Sequence, residues 1–130
     1  MIDYDNSTFN DIWDYELEEG LEKRDLFNFS SSLLTGKFYD DKNGIIYYMK
    51  NSLYHREDGP AYIYRGSRSY NNHFIWYNYG IEHRIEGPAK YVFYNINCSS
   101  KEYWIFGRWI SEFDFLTFSN LDNGNKVVLL

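Results

Sequence analysis

From residue 36 onward the apolar and aromatic positions fall in short runs, YIY, YVFY, HFIWYNYG and KEYWIFG, parted by polar segments such as RGSRSYNN and NINCSSK. Runs of this length, bounded by turn-forming residues, predict strands of an antiparallel meander, two to each repeating unit. Asp41-Lys42-Asn43-Gly44 predicts a hairpin loop. Asp58-Gly59 predicts a turn in which glycine supplies a positive φ. Pro60 has no amide to donate and belongs at a strand start or an edge, and Ala61 is small enough to pack beneath the turn. The flanks follow a different period. Phe9, Ile12, Trp13, Leu17 and Leu21 make a helical stripe, weakened near its end by Gly20. Ser111, with Asp114 three residues on, predicts a helix start, against an alternating strand through Phe113, Phe115 and Thr117. Asn123-Gly124-Asn125 predicts a turn and KVVLL a last strand.

The runs repeat. At an offset of 28 residues, His55, Arg56, Gly59, Pro60 and Ala61 fall on His83, Arg84, Gly87, Pro88 and Ala89. Asp58 falls on Glu86, Trp76 on Trp104, and Tyr48 holds the same place one unit earlier. A shortened first copy fits TGKFYDDKNGIIYYMKNSL, and the last copy stops at KEYWIFGRWISEFDF without the His-Arg segment. Recurrence at a fixed spacing marks units that bury a core only by stacking on one another. The expected fold is therefore mainly β to α+β: a twisted antiparallel sheet of tandem β-hairpin repeats with a capping helix at one or both ends. One domain spans residues 1–130, with an acidic helical cap over 1–35, repeats over 36–110 and a second cap over 111–130. Caps are needed because a repeat array leaves open edges.

Composition sharpens this. Aromatic residues make up 22% of the 130 and hydrophobic residues 44%, which suits half-buried pleated surfaces and excludes a disordered chain. The formal charge of −6 is uneven: residues 1–25 hold nine acidic side chains against two basic, and the remainder is close to neutral. Cys98 is the single cysteine, so neither an internal disulfide nor an all-cysteine metal site can form. The acidic start lacks the basic and apolar pattern of a secretory signal, and no run reaches the length of a membrane span. The expected setting is cytoplasmic.

His55 with Asp58, and His83 with Glu86, suggest acid–base pairs or metal ligands. Their recurrence is more economically explained by the turn itself, with the carboxylate taking backbone amides and His-Arg bridging neighbouring strands. Trp76 and Trp104 suggest a stacking platform for single-stranded nucleic acid, yet the negative charge opposes phosphate binding and repeat-position aromatics fill cores. Neither a phosphate-binding loop nor a nucleophile elbow is present, so no catalytic residues, cofactor or metal are expected. Function is sought where the copies differ. The loop 64–73 carries Arg65, Arg68, Tyr70 and His73, of the types that anchor protein interfaces, whereas the loop 94–101 is nearly uncharged. On a helix, Asp11, Asp14, Glu18, Glu22 and Asp25 would stack as an acidic face able to occupy a basic groove on a partner.

The string HREDGPA, followed by an aromatic strand, a polar loop and a tryptophan ahead of a glycine, resembles a repeat of small phage and large-DNA-virus proteins, a distant variant of the MORN repeat. The resemblance spans roughly residues 36–115, rests mostly on 53–61 and 81–89, and extends to KEYWIFGRWISEF, where the family closes with a short helix. It implies meandering hairpins used as scaffolds or binding surfaces, without catalytic activity. The expected function is a viral or phage binding protein that inhibits a host protein or ribonucleoprotein complex, such as a CRISPR effector or defence nuclease, by occupying its surface. A structural or self-associating assembly module, and a nucleotide-sequestering pocket using Arg65 and Arg68, are the alternatives.

Overall fold

Residues 20–28, 32–66, 71–95 and 98–119 are described by the computed structural model of the chain. Among them the strands are β1 (Leu21–Lys23), β2 (Gly36–Asp40), β3 (Ile45–Lys50), β4 (Leu53–Tyr54), β5 (Tyr62–Tyr64) and β6 (Asn72–Ile75). They continue with β7 (Tyr77–Asn78), β8 (Ile81–Glu82), β9 (Lys90–Asn95), β10 (Cys98–Ile105) and β11 (Arg108–Ile110), and the helix α1 (Glu112–Ser119) follows. The main sheet runs β1-β2-β3-β5-β6-β9-β10-β11, with β4 attached to β3, and β7 pairs with β8 apart from it. Every pairing is antiparallel except that of β1 with β2.

The strand period of two separates two rows of side chains. Ile46, Ile63, Phe74 and Tyr91 lie opposite one another in turn across β3, β5, β6 and β9. With Trp76, Ala89 and Phe93 they form the larger core, in which Phe74 and Ala89 are wholly buried. On the other face Phe38, Tyr47, Tyr62 and Ile75 are aligned, and the row then turns polar at Lys90 and Glu102. Burying one such side chain is worth about 1.5–3 kcal/mol, so the cross-strand rows dominate the stability of the sheet. The aromatic load read from composition is thus spent on both faces.

Each repeat proves richer than a pair of strands. It adds two strands to the main sheet and folds a small hairpin at one end, with two-residue turns at Asn51-Ser52, Tyr79-Gly80 and Phe106-Gly107. Both residues of each turn have positive φ, as the right-handed twist of a tight hairpin demands. The Asp41–Gly44 loop forms as expected. Buried Asp40 accepts the amides of Asn43 and Leu26 and the Asn43 side chain. Burial alone would raise this carboxyl, but the hydrogen bonds from Asn43, Leu26 and Lys42 outweigh it and lower its pKa.

At the flanks one expectation fails and one holds. The helical stripe reaches Leu21 in the sequence, yet Leu21–Lys23 is a strand running parallel to β2, where Leu21 packs on the main core. Covering the β2 edge in this way outweighs the local period. At the other end helix wins over strand: Ser111 Oγ accepts the Asp114 amide at 3.1 Å, and Phe115 is buried on Tyr103 with ring centroids 4.4 Å apart. Residues 1–19 and the KVVLL segment lie outside the described residues.

Candidate interaction surface

The recurring motif joins consecutive units. His55 Nδ1 accepts the Tyr79 amide at 3.0 Å, and His83 Nδ1 accepts the Phe106 amide at 2.9 Å. Beside each, the following glycine amide is taken by a main-chain oxygen, Gly80 by Tyr54 at 2.7 Å and Gly107 by Glu82 at 2.9 Å. The same imidazoles stack on the aromatic rings whose amides they accept, at 4.0 Å for His55 on Tyr79 and 4.2 Å for His83 on Phe106. An accepting Nδ1 places the proton of the neutral ring on Nε2. Burial pushes the His83 pKa down, in keeping with a neutral acceptor.

The arginine locks the turn from within. Arg56 lies 4.2 Å over the Tyr48 ring and donates to Pro60 O; Arg84 lies 4.0 Å over Trp76 and donates to Pro88 O. Arg56 Nε also donates to Asp58 at 2.8 Å, and this hydrogen bond lowers the Asp58 pKa. The Asp58 carboxylate thus meets arginine in addition to a backbone amide, its own. The glycine expectation also needs correcting, because neither Gly59 nor Gly87 has a positive φ. What excludes a side chain is space: a Cβ at Gly59 would stand 2.8 Å from Arg56 Cζ, and one at Gly87 2.9 Å from an Arg84 nitrogen. Thus His55, Arg56, His83 and Arg84 are engaged within the fold, and Trp76 is buried in the core beneath Arg84.

Between the two motif turns lies an open hollow of about 460 Å³ lined by Arg56, Glu57, Asp58, Trp76, Arg84 and Glu86, among others. No group of three or more metal-ligating side chains occurs among the described residues. The two units differ on the face behind the small hairpins. Tyr54 packs between Tyr62 and Tyr77, and burial pushes the Tyr54 and Tyr77 hydroxyls up to about 12. One unit later Glu82 and Lys90 stand in the places of Tyr54 and Tyr62. Burial raises the Glu82 carboxyl, Lys90 opposes that rise and Glu102 adds to it.

Exposed apolar side chains gather on the small hairpins. Leu53, Tyr79, Ile81, Phe106 and Trp109 all belong to them, with Phe106 55% and Trp109 61% exposed. Leu53 lies against Gly80 and Ile81 against Gly107, so the hairpins sit side by side and Leu53, Tyr79, Ile81 and Phe106 form one row, whereas Trp109, at the register position of Tyr54 and Glu82, belongs to the other face. Tyr79 and Phe106 occupy left-handed positions, φ 47° and 48°, where asparagine or glycine is favoured and a bulky residue is held at a cost of about 1–3 kcal/mol. No sequence pattern had singled out this row. The cue was an aromatic immediately before the turn glycine, in YNYG and again in WIFG.

The residues singled out from sequence are scattered. Asp11, Asp14, Glu18, Arg68 and Tyr70 lie outside the described residues. Glu22 is exposed on β1, and Asp25 is exposed beyond it, accepting the Phe27 amide at 2.9 Å. The Arg65 amide donates to Gly44 O at 2.8 Å, and its side chain borders a hollow shared with Asp41, Lys42, Asn43 and Tyr64. His73 lies within strand β6, half-buried and edge-on to Tyr64 at 5.3 Å; burial, then Lys90, lowers its pKa. The antiparallel order brings the ends of β2, β5 and β9 and the starts of β3, β6 and β10 to one end of the sheet, opposite the motif turns. No described helix is long and apolar enough to cross a membrane. Comparison with protein-family models, with curated proteins and with solved structures gives no match.

Proposed function

We propose that the chain is a non-enzymatic binding protein that occupies the surface of another protein with its row of hairpin tips. The observation behind this reading is the placement of Tyr79 and Phe106: each aromatic sits half-exposed at a backbone position that disfavours it. The neighbouring Leu53 and Ile81 supply apolar area of the kind that protein interfaces bury around aromatic anchors. A protein partner suits this surface better than nucleic acid, because the charge of −6 opposes phosphate contact. The concrete role favoured is inhibition of a host macromolecule by a viral or phage protein, such as a CRISPR effector or defence nuclease.

A second reading is favoured by charge alone: the nine acidic residues of 1–25, Glu22 and Asp25 among them, would fit a basic groove. Affinity capture followed by residue-resolved crosslinking separates the two. In the first reading Tyr79→Asn with Phe106→Asn keeps the fold, since asparagine accepts a left-handed φ, and abolishes crosslinks and capture. Neutralising residues 11–25 leaves both intact. Capture lost only on neutralisation moves the surface to the acidic segment. A concentration-dependent oligomer that persists without any partner overturns both in favour of an assembly module.

A further inference from the structure

The joints between units are of two chemical kinds. At the first, the Asn51 amide donates to Thr35 Oγ1 at 3.0 Å and the Ser52 amide to Leu34 O at 2.7 Å. At the second and third, imidazole replaces the hydroxyl, with the Tyr79 amide on His55 Nδ1 and the Phe106 amide on His83 Nδ1. In all three the neighbouring turn amide goes to a main-chain oxygen, so one pattern serves throughout and only the side-chain acceptor changes. A hydroxyl accepts at any ordinary pH. An imidazole accepts only while Nδ1 is unprotonated, and once protonated it presents a donor to the amide donor it faced.

We propose that His55 and His83 are acid-labile latches: protonation at Nδ1 releases the Tyr79-Gly80 and Phe106-Gly107 turns from the preceding unit, while the Thr35 joint stays closed. The release is local because the main-sheet ladders join main-chain amides to main-chain oxygens, which do not titrate. It also frees two aromatics from unfavourable backbone positions. The charged surroundings of the two rings differ. Around His55 stand Glu57, whose carboxylate is 3.7 Å from Nε2, the Tyr79 phenol, and Lys50 lying 5.4 Å over that same ring. The side chain of His55 is 9% exposed. At His83 the ring faces Phe106, and the hollow it borders contributes Arg56, Glu57, Asp58, Arg84 and Glu86, with Ile85 in the place of Glu57. Each latch closes on an accepting Nδ1, and a proton added there removes the acceptor, so acid works toward opening.

Amide hydrogen exchange by NMR on the full chain, at about pH 7.5 and about pH 4.5 with intrinsic rates divided out, tests the latches. Opening linked to the uptake of one proton can rise by at most about tenfold for each pH unit of acidification. Tyr79 and Phe106 should lose protection by about tenfold or more relative to Asn51. Equal losses at all three amides, or none at Tyr79 and Phe106, would overturn the proposal. His55→Asn with His83→Asn supplies carbonyl acceptors that do not titrate, and should erase the excess pH dependence; its persistence in that variant would sink the idea. If the variant does not fold, imidazole nitrogen shifts of the wild type decide. Cationic rings beside still-protected Tyr79 and Phe106 amides would show that protonation does not open the joints.

Discussion

Replacing Gly87 with alanine tests whether the motif glycine is there for space or for backbone freedom. Gly87 has no left-handed φ, so the backbone itself would welcome alanine, which stabilises such sites by about 0.4–1 kcal/mol through the unfolded chain. Against this, the new Cβ would stand 2.9 Å from one Arg84 nitrogen and 3.0 Å from Cζ. The guanidinium is not free to retreat, because it stacks 4.0 Å over Trp76 and donates to Pro88 O at 3.1 Å. A charge-assisted hydrogen bond is worth about 1.5–3 kcal/mol and a partly exposed cation–π contact about 0.5–1. Partial loss of both outweighs the entropic gain and leaves a net destabilisation of about 1–2 kcal/mol, or a fall in Tm of about 3–10 °C for a domain of this size. Thermal unfolding followed by circular dichroism measures it, and a double-mutant cycle identifies the cause. In an Arg84→Met background, which keeps the apolar stem and removes the fork, Gly87→Ala should become neutral or stabilising. An equal loss in both backgrounds, or no loss in the wild type, would refute the crowding argument.

Asp40→Ala deprives the Leu26 and Asn43 amides of their acceptor and should cost about 2–4 kcal/mol in urea unfolding at neutral pH. The folded pKa of Asp40 is lowered, so its contribution is fully present above the ordinary value of 3.8 and lost as pH falls through the folded value. The gap between wild type and variant should therefore narrow with acid below 3.8, and a constant gap counts against the linkage. Phe115→Ala removes the buried ring that seats α1 on Tyr103 and Ile105 and should cost about 3 kcal/mol. The far-ultraviolet helical signal should weaken with it. An unchanged Tm with the helical signal intact would mean that α1 is held by something other than Phe115.

The meander, its period and the C-terminal helix were legible because they rest on local signals: alternation, turn residues and a serine cap. The engagement of the repeated His, Arg and Gly within the fold was legible from recurrence alone, since positions shared by every full unit serve what the units share. Their individual duties were not. Nothing near Gly59 in sequence shows that Arg56 folds back over it, for the stack on Tyr48 exists only once β3 and the motif turn meet. Leu21 fits a helical stripe with equal ease, and only the presence of the β2 edge makes it a strand. The row of exposed tips was hidden for another reason. A hydrophobic pattern reports what could be buried, and Tyr79 and Phe106 look like strand residues until the turns place them outside.

The two ends of the array follow from the same joint. Every joint needs an acceptor for the first turn amide and a main-chain oxygen for the second. Thr35 and Leu34 provide both without a preceding unit, so three residues of irregular chain close the first edge. At the other end the one-residue shorter third unit puts Ile110 where His55 and His83 stand, and Ser111 where the arginines stand. Isoleucine offers no side-chain acceptor, and instead packs on the Tyr103, Ile105 and Phe115 cluster. Ser111 has no guanidinium to lay over an aromatic, and caps α1 instead. Two substitutions thus convert a joint into a helix start, which ends the array and leaves Trp109 uncovered by a further hairpin among the described residues. On this account Ile110→His alone cannot create a new latch, because the chain beyond it has already turned into the helix.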